Sequence, residues 1–180
     1  MKLILSLPEL YIWLFGFLFN FVWEISHMPY YQGFFNVLHK DETVERRYWF
    51  GENCFERRKT FAQVFWFASV GDGLLILGNY WLMSLLLWDR LWILDGGSLF
   101  GIGGVSISRW GAYGIAVILG IGVQVLVEII ALKKKWWGYA DEMPTIGKHL
   151  ALFPNIQMII PITLTYLLTR LIILGLGSAG

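Results

Sequence analysis

The sequence predicts an all-α fold: a polytopic membrane bundle of four transmembrane helices, with a fifth crossing only if residues 91–109 also span. Three observations predict it. The chain is 57% hydrophobic and 15% charged, with a mean hydropathy of +0.58, whereas a soluble domain carries about 25% charged residues. Four apolar stretches each reach the roughly 20 residues needed to cross about 30 Å of hydrocarbon. The chain also holds ten Trp, eight Tyr and thirteen Phe, residues of the kind that collect at membrane interfaces. At 180 residues it reads as a single integral membrane domain, 1–180.

The first span covers about residues 3–27. Pro8 marks a break near its start, and Pro29 disfavours helix at Met28. The run is long, has little basic leader and lacks a clear small-residue cleavage site, so it reads as a retained helix and not a signal peptide. The second span covers about 61–88 and the third about 110–132. The fourth covers about 152–174, with Pro154 in its first turn and Pro161 predicting a kink inside it.

The connections are polar in different ways. Residues 39–60 are dense in charges of both signs and read as a solvated loop or surface helix. Residues 91–109 are apolar but broken by Asp95-Gly96-Gly97 and by Gly101, Gly103 and Gly104. Glycines weaken a helix, so a re-entrant hairpin or an interfacial segment is expected there. Residues 133–151 begin with Lys133-Lys134-Lys135, followed by the interfacial group Trp136-Trp137-Gly138-Tyr139. With four spans, the first and third loops share a side and hold Lys40, Arg46, Arg47, Arg57, Arg58, Lys59, Lys133, Lys134, Lys135 and Lys148. The other side holds Lys2, Arg90, Arg109 and Arg170. The positive-inside rule puts loops 39–60 and 133–151 in the cytoplasm and both termini outside, in a multi-pass cell-membrane protein.

Several classes are excluded. A net charge of +1 gives no electrostatic case for nucleic acid. One cysteine, Cys54, forms no intrachain disulfide, and His27, His39, His149 and Cys54 lack metal-ligand spacing. No glycine-rich loop opens a helix after a strand, so neither a nucleotide nor any other cofactor is expected.

The informative residues are the polar groups inside the spans. Asn20, Glu24 and His27 stand at i, i+4 and i+7, within roughly 60° on one helix face. Gly16, one turn earlier, would let another helix approach closely. Ionisable groups at this depth usually face a bundle interior or a wet cavity. Asp72 lies between Gly71 and Gly73, with Asn79 seven residues on, and Glu128 follows Gln124 by one turn. The fourth span offers Asn155, Gln157, Thr163 and Tyr166. At ~1.5 Å per residue, Glu24 sits about one turn from the cytoplasmic end of its helix, Glu128 about 6 Å from its own, and Asp72 roughly 15 Å from Phe61. Most of these groups therefore gather in the cytoplasmic half. Glu24, Asp72 and Glu128 are the candidate catalytic set, with Asn20, Trp23, His27, Asn79, Gln124, Trp137 and Tyr139 as candidate substrate-binding residues. Plainer roles compete. Glu24 and Glu128 could reach headgroups or loop cations, Asp72 could belong to a buried structural pair, and Trp23, Trp137 and Tyr139 could be interfacial anchors.

Asn20-x-x-Trp23-Glu24 resembles the Asn-x-x-Trp-Glu motif of the small membrane-bound terpene cyclases of meroterpenoid pathways. The resemblance implies that Glu24 is the acid that starts cyclisation. That family is built from seven helices, and its second acid has no placed counterpart here. A broader set of positions is similar to a group of small polytopic bacterial membrane proteins: Asn20, Trp23, Glu24 and Pro29; Gly71 and Asp72; then Glu128, Trp137, Tyr139, Met143 and Pro144. That resemblance implies a shared fold and pocket and no particular reaction.

Three functions fit. An acid, a paired acceptor and an aromatic lining suit proton-driven chemistry on an apolar lipid of isoprenoid or sterol type entering from the bilayer, in a cyclase- or isomerase-like enzyme. The same groups suit a small proton-coupled transporter, working as a homo-oligomer because four helices make a thin conduit. A non-catalytic assembly protein would use the glycine-bearing faces to bind other helices. The transporter ranks second because the outer half offers little polar lining beyond Arg170, Tyr166 and Asn79.

Overall fold

The computed structural model describes residues 7–27, 61–89, 91–94, 98–100, 106–134, 144–146 and 150–178. The fold is mostly helical: α1 (Pro8–His27), α2 (Phe61–Leu87), α3 (Arg109–Lys133), α4 (Leu152–Gln157) and α5 (Ile159–Ser178). Two short antiparallel hairpins depart from the all-α expectation, β1 (Ser98–Phe100) with β2 (Ser106–Ser108) and β3 (Thr145–Ile146) with β4 (Leu150–Ala151). The long helices α1, α2, α3 and α5 form a ring: α1 packs on α2 and α5, and α3 packs on the same two.

Three stretches are long and apolar enough to cross a membrane: Ala68–Leu87, Arg109–Lys133 and Asn155–Leu176. Helix α1 has the length, 20 residues, but Glu9, Asn20, Glu24 and its Trp and Tyr residues lower its hydropathy. Its residues are sorted by face. Ile12, Gly16, Asn20 and Glu24 are buried at every fourth position, while Leu10, Leu14, Leu18, Val22 and Ile25 face outward. Helix α3 repeats the pattern with Ala112, Ala116, Gly120, Gln124 and Glu128 inside and Ile118, Leu126 and Ile129 outside. Small and polar residues inward with large apolar residues outward is the arrangement that lets helices associate in lipid.

The contact between α1 and α2 depends on two glycines. A Cβ at Gly73 would lie 3.1 Å from the backbone nitrogen of Phe17, and a Cβ at Gly16 would lie 3.4 Å from the Cα of Gly73. Helix α2 ends in a Schellman turn: Asp89 N–H donates to Ser84 O at 3.2 Å and Trp88 N–H to Leu85 O at 3.4 Å. Trp88 takes the left-handed position, φ 52°, which costs a non-glycine residue about 1 kcal/mol.

Residues 91–94 then turn back into the end of the bundle. Trp92 and Ile93 are fully buried there. Trp92 packs edge-on to Tyr113 at 5.6 Å and to Tyr166 at 5.2 Å. Arg170 Nη1 donates to the carbonyls of Ile93 at 3.1 Å and Leu94 at 2.5 Å. The segment expected to be re-entrant or interfacial is thus a plug followed by the β1–β2 hairpin, and among the described residues no helix crosses in this interval. Ser108 caps α3 by accepting from Gly111 N–H at 3.1 Å.

The fourth span is broken. Pro161 has no N–H for the carbonyl of Gln157, and its ring crowds that carbonyl. Helix α4 therefore ends at Gln157, and α5 begins at Ile159 with Pro161 in its first turn, where a missing N–H leaves no bond unmade. The interruption at Met158, one turn before Pro161, falls inside the span where the proline predicts a kink.

Candidate functional site

The inward stripe of α1 brings Asn20 and Glu24 to the end of the ring that faces α4. Asn20 Nδ2 donates to Gly16 O at 2.7 Å. This orients the amide, because its other terminus must then be the acceptor. Asn20 Oδ1 receives Gln157 Nε2 at 2.8 Å. The same nitrogen donates to Asp72 Oδ2 at 2.8 Å and approaches Glu24 Oε1 at 3.3 Å. An amide nitrogen carries two hydrogens, so the third and longest contact is shared. Asn20 and Gln157 are essentially inaccessible to solvent, Glu24 is 4% exposed, and Asp72 is partly buried.

The carboxyl groups of Glu24 and Asp72 meet at one donor, Gln157 Nε2, and so stand side by side. Glu24 Oε2 is buried and has no partner among the described residues. The close approach of Gly16 and Gly73 is what brings the two helices near enough for this pairing.

The expected depth of Asp72 changes accordingly. Along α2 it is roughly 15 Å from Phe61, but the apolar stretch of α2 begins at Ala68. Asp72 is one turn into that stretch and level with Glu24.

His27 stands at the rim. Its Nδ1 lies 2.9 Å from Trp23 O, and a carbonyl only accepts, so the Nδ1–H tautomer is the one that fits. The ring stacks on Trp23 at 4.2 Å and leans on Phe153 at 4.6 Å. Trp23 thereby orients His27 and is not in the carboxyl cluster itself.

Glu128 occupies a neighbouring cluster. Its Oε1 accepts Ala151 N–H and its Oε2 accepts Asn155 Nδ2, both at 2.7 Å. Ala151 is the N-cap of α4 and has no side-chain cap of its own; Glu128 takes its backbone N–H from α3, as the N3 Glu of a capping box would do locally. It acts on Glu24 and Asp72 at one remove, by holding the short helix that ends in Gln157. Gln124 is buried one turn before Glu128, with no partner for its Oε1 among the described residues. Asn79 lies deeper on α2. It accepts Tyr166 Oη–H at 2.7 Å and donates to Ala116 O at 2.9 Å. Trp137 and Tyr139 lie outside the described residues.

Of the candidate residues, the structure brings together Asn20, Glu24 and Asp72, with His27 and Trp23 beside them. It adds Gln157, which the sequence marks as an amide four residues before a helix-breaking proline. Among the described residues no three His, Cys, Asp or Glu side chains gather closely enough to hold a metal ion. No protein family, curated protein or solved structure matches the chain.

Proposed function

We propose that the chain is an integral membrane protein of four spans whose Glu24–Asp72 pair carries out acid–base chemistry on an apolar lipid. The observation that carries this reading is the buried carboxyl pair itself, with Glu24 Oε2 unpartnered and both acids clamped by Gln157. In the proposed chemistry Glu24, in its protonated form, gives its proton to an alkene carbon of an isoprenoid or sterol-like substrate. Asp72 accepts the proton that an adjacent carbon then loses, so isomerisation or cyclisation closes without a co-reactant. Asn20 and Gln157 orient the acids, and Glu128 positions Gln157. Helix α1 is the fourth span: 20 residues measure about 30 Å, the thickness of the hydrocarbon core. Loops 39–60 and 133–151 would be cytoplasmic, so the site opens toward that leaflet.

One observation favours the enzyme over the transporter. The end of the bundle opposite the acids is filled by Trp92, Tyr113 and Tyr166 and tied down by Arg170, which leaves no polar route through it among the described residues. The test is to purify the full chain and its Glu24→Gln and Asp72→Asn variants in mild detergent and identify the retained apolar lipids by mass spectrometry. The expected result is an isoprenoid or sterol-like lipid enriched on the parent chain, with retention or turnover altered in both variants. Identical lipid profiles in all three proteins would end this reading.

A further inference from the structure

Between α2, α3 and α5 the bundle is split by a cleft of about 170 Å³. Gly78 and Leu82 form one wall, Gly120 and Val123 the other, Ile162 closes the back, and among the described residues Asn79 is the one polar side chain that lines it. Gly78 leaves open space, since a Cβ there would meet nothing within 4 Å, whereas the room left by Gly120 is taken by Cδ1 of Ile162. All three helices belong to the stretches apolar enough to cross a membrane, so the cleft meets hydrocarbon. An apolar cavity of about 150 Å³ stays dry and accepts a guest the size of benzene; this one has room for a ring or a branched chain unit.

Asn79 says what kind of guest. One hydrogen of its Nδ2 goes to Ala116 O, and its Oδ1 is taken by Tyr166. The second amide hydrogen has no acceptor among the described residues. It sits on a nitrogen that would be 3.6 Å from a Cβ at Gly120, which also lines the cleft. In hydrocarbon an unmade amide hydrogen bond is costly. Depth then selects the acceptor. Asn79 is eight residues before Leu87, the last residue of α2, or about 12 Å along the axis and near the middle of a ~30 Å core. The ester carbonyls of a phospholipid lie at the headgroup border. An acceptor at the level of Asn79 must be part of the apolar body of its ligand.

We propose that this cleft binds an apolar lipid bearing a carbonyl or ether oxygen within its ring system or chain, with the hydrocarbon laid between Gly78 and Gly120 and the oxygen on the amide of Asn79. Neither Glu24 nor Asp72 lines the cleft, so the inference holds whether or not the carboxyl pair acts on that lipid. The test is photolabelling of the full chain in lipid nanodiscs with three probes: a diazirine-bearing steroid ketone, its deoxygenated analogue, and a phosphatidylcholine with a mid-chain diazirine. Labelled peptides are mapped by mass spectrometry. The ketone should label residues 74–82 and 120–123 saturably, and the other two probes about tenfold less, the loss expected when one hydrogen bond is absent or the apolar fit is poorer. Gly78→Leu should reduce ketone labelling to the phospholipid level. Leu82→Trp fills the cleft from a second position and should do the same, which guards against a fold disturbed at residue 78. Glu24→Gln should leave cleft labelling unchanged. Equal labelling by the ketone and its deoxygenated analogue, equal labelling by the phospholipid, or labelling that survives both cleft-filling variants would overturn the proposal.

Discussion

Gln157→Leu removes a single nitrogen on which three acceptors depend, two of them on buried residues. The side-chain volume changes little, but Asn20 Oδ1, Asp72 Oδ2 and Glu24 Oε1 all lose their donor. Side-chain hydrogen bonds in membrane proteins average about 0.6 kcal/mol each, which would give about 2 kcal/mol for three. That average includes groups able to find other partners. Here Asn20 is fully buried and Glu24 is 4% exposed, so neither can turn to water. A buried acceptor left unmade costs about 1–3 kcal/mol. The expected loss is therefore about 3–5 kcal/mol. It can be measured by steric trapping in bicelles or by dodecyl sulfate titration followed by far-ultraviolet circular dichroism. Thr163→Val is the control on the same span. Its hydroxyl only donates back to Ile159 O at an exposed position, and its loss should cost about 0.5 kcal/mol or less. If Gln157→Leu falls within about 1 kcal/mol of the parent protein, the amide does not hold the acids and the reasoning fails.

Other substitutions test other contacts. Gly73→Ala should destabilise by about 1–3 kcal/mol, because its methyl meets the backbone of α1. Gly71→Ala, two residues away and facing open space, should be neutral or stabilise by up to about 1 kcal/mol; thermal unfolding in detergent compares the two. Glu128→Leu should speed hydrogen exchange at the Ala151 amide and fray α4, while Glu128→Gln should retain part of the cap. Arg170→Leu should release residues 91–94, read as earlier cleavage in limited proteolysis, since each hydrogen bond from a charged donor is worth about 1.5–3 kcal/mol.

Much of the site was legible in the sequence because it rests on helical periodicity. Asn20 and Glu24 share a face by their spacing of four, and Gly16 on that face predicts a close neighbour. Asp72 is a natural partner once helix order and charge place it at the same end. Gln157 was visible only as a polar residue near a helix end. Its role depends on which helices pack against that end, α1 and α2, and spacing along one helix does not report its neighbours. Glu128 read as a third acid because spacing along α3 reports which way a side chain faces and not what arrives there. What arrives is the backbone of Ala151, from a segment with too few residues for any periodic signal. The plug at 91–94 was hidden for a similar reason: a turn has no repeat, and burial of Trp92 follows from the ring of helices around it.

The hydrogen bond between Asn20 and Gln157 joins residues 137 positions apart, and this has a consequence for biogenesis. In the four-span reading proposed above, the first helix would enter the bilayer bearing an amide and a carboxyl group, at a stage when the residue that satisfies them has not been synthesised. Polar and acidic residues at such positions disfavour insertion by the translocon. The α1–α2 hairpin, closed by Gly16 against Gly73, is the earliest arrangement that shields them, which favours entry as a pair over entry one helix at a time. Chains truncated before residue 152 would keep these acceptors without their donor, and so be marked for membrane quality control at the end opposite the missing part.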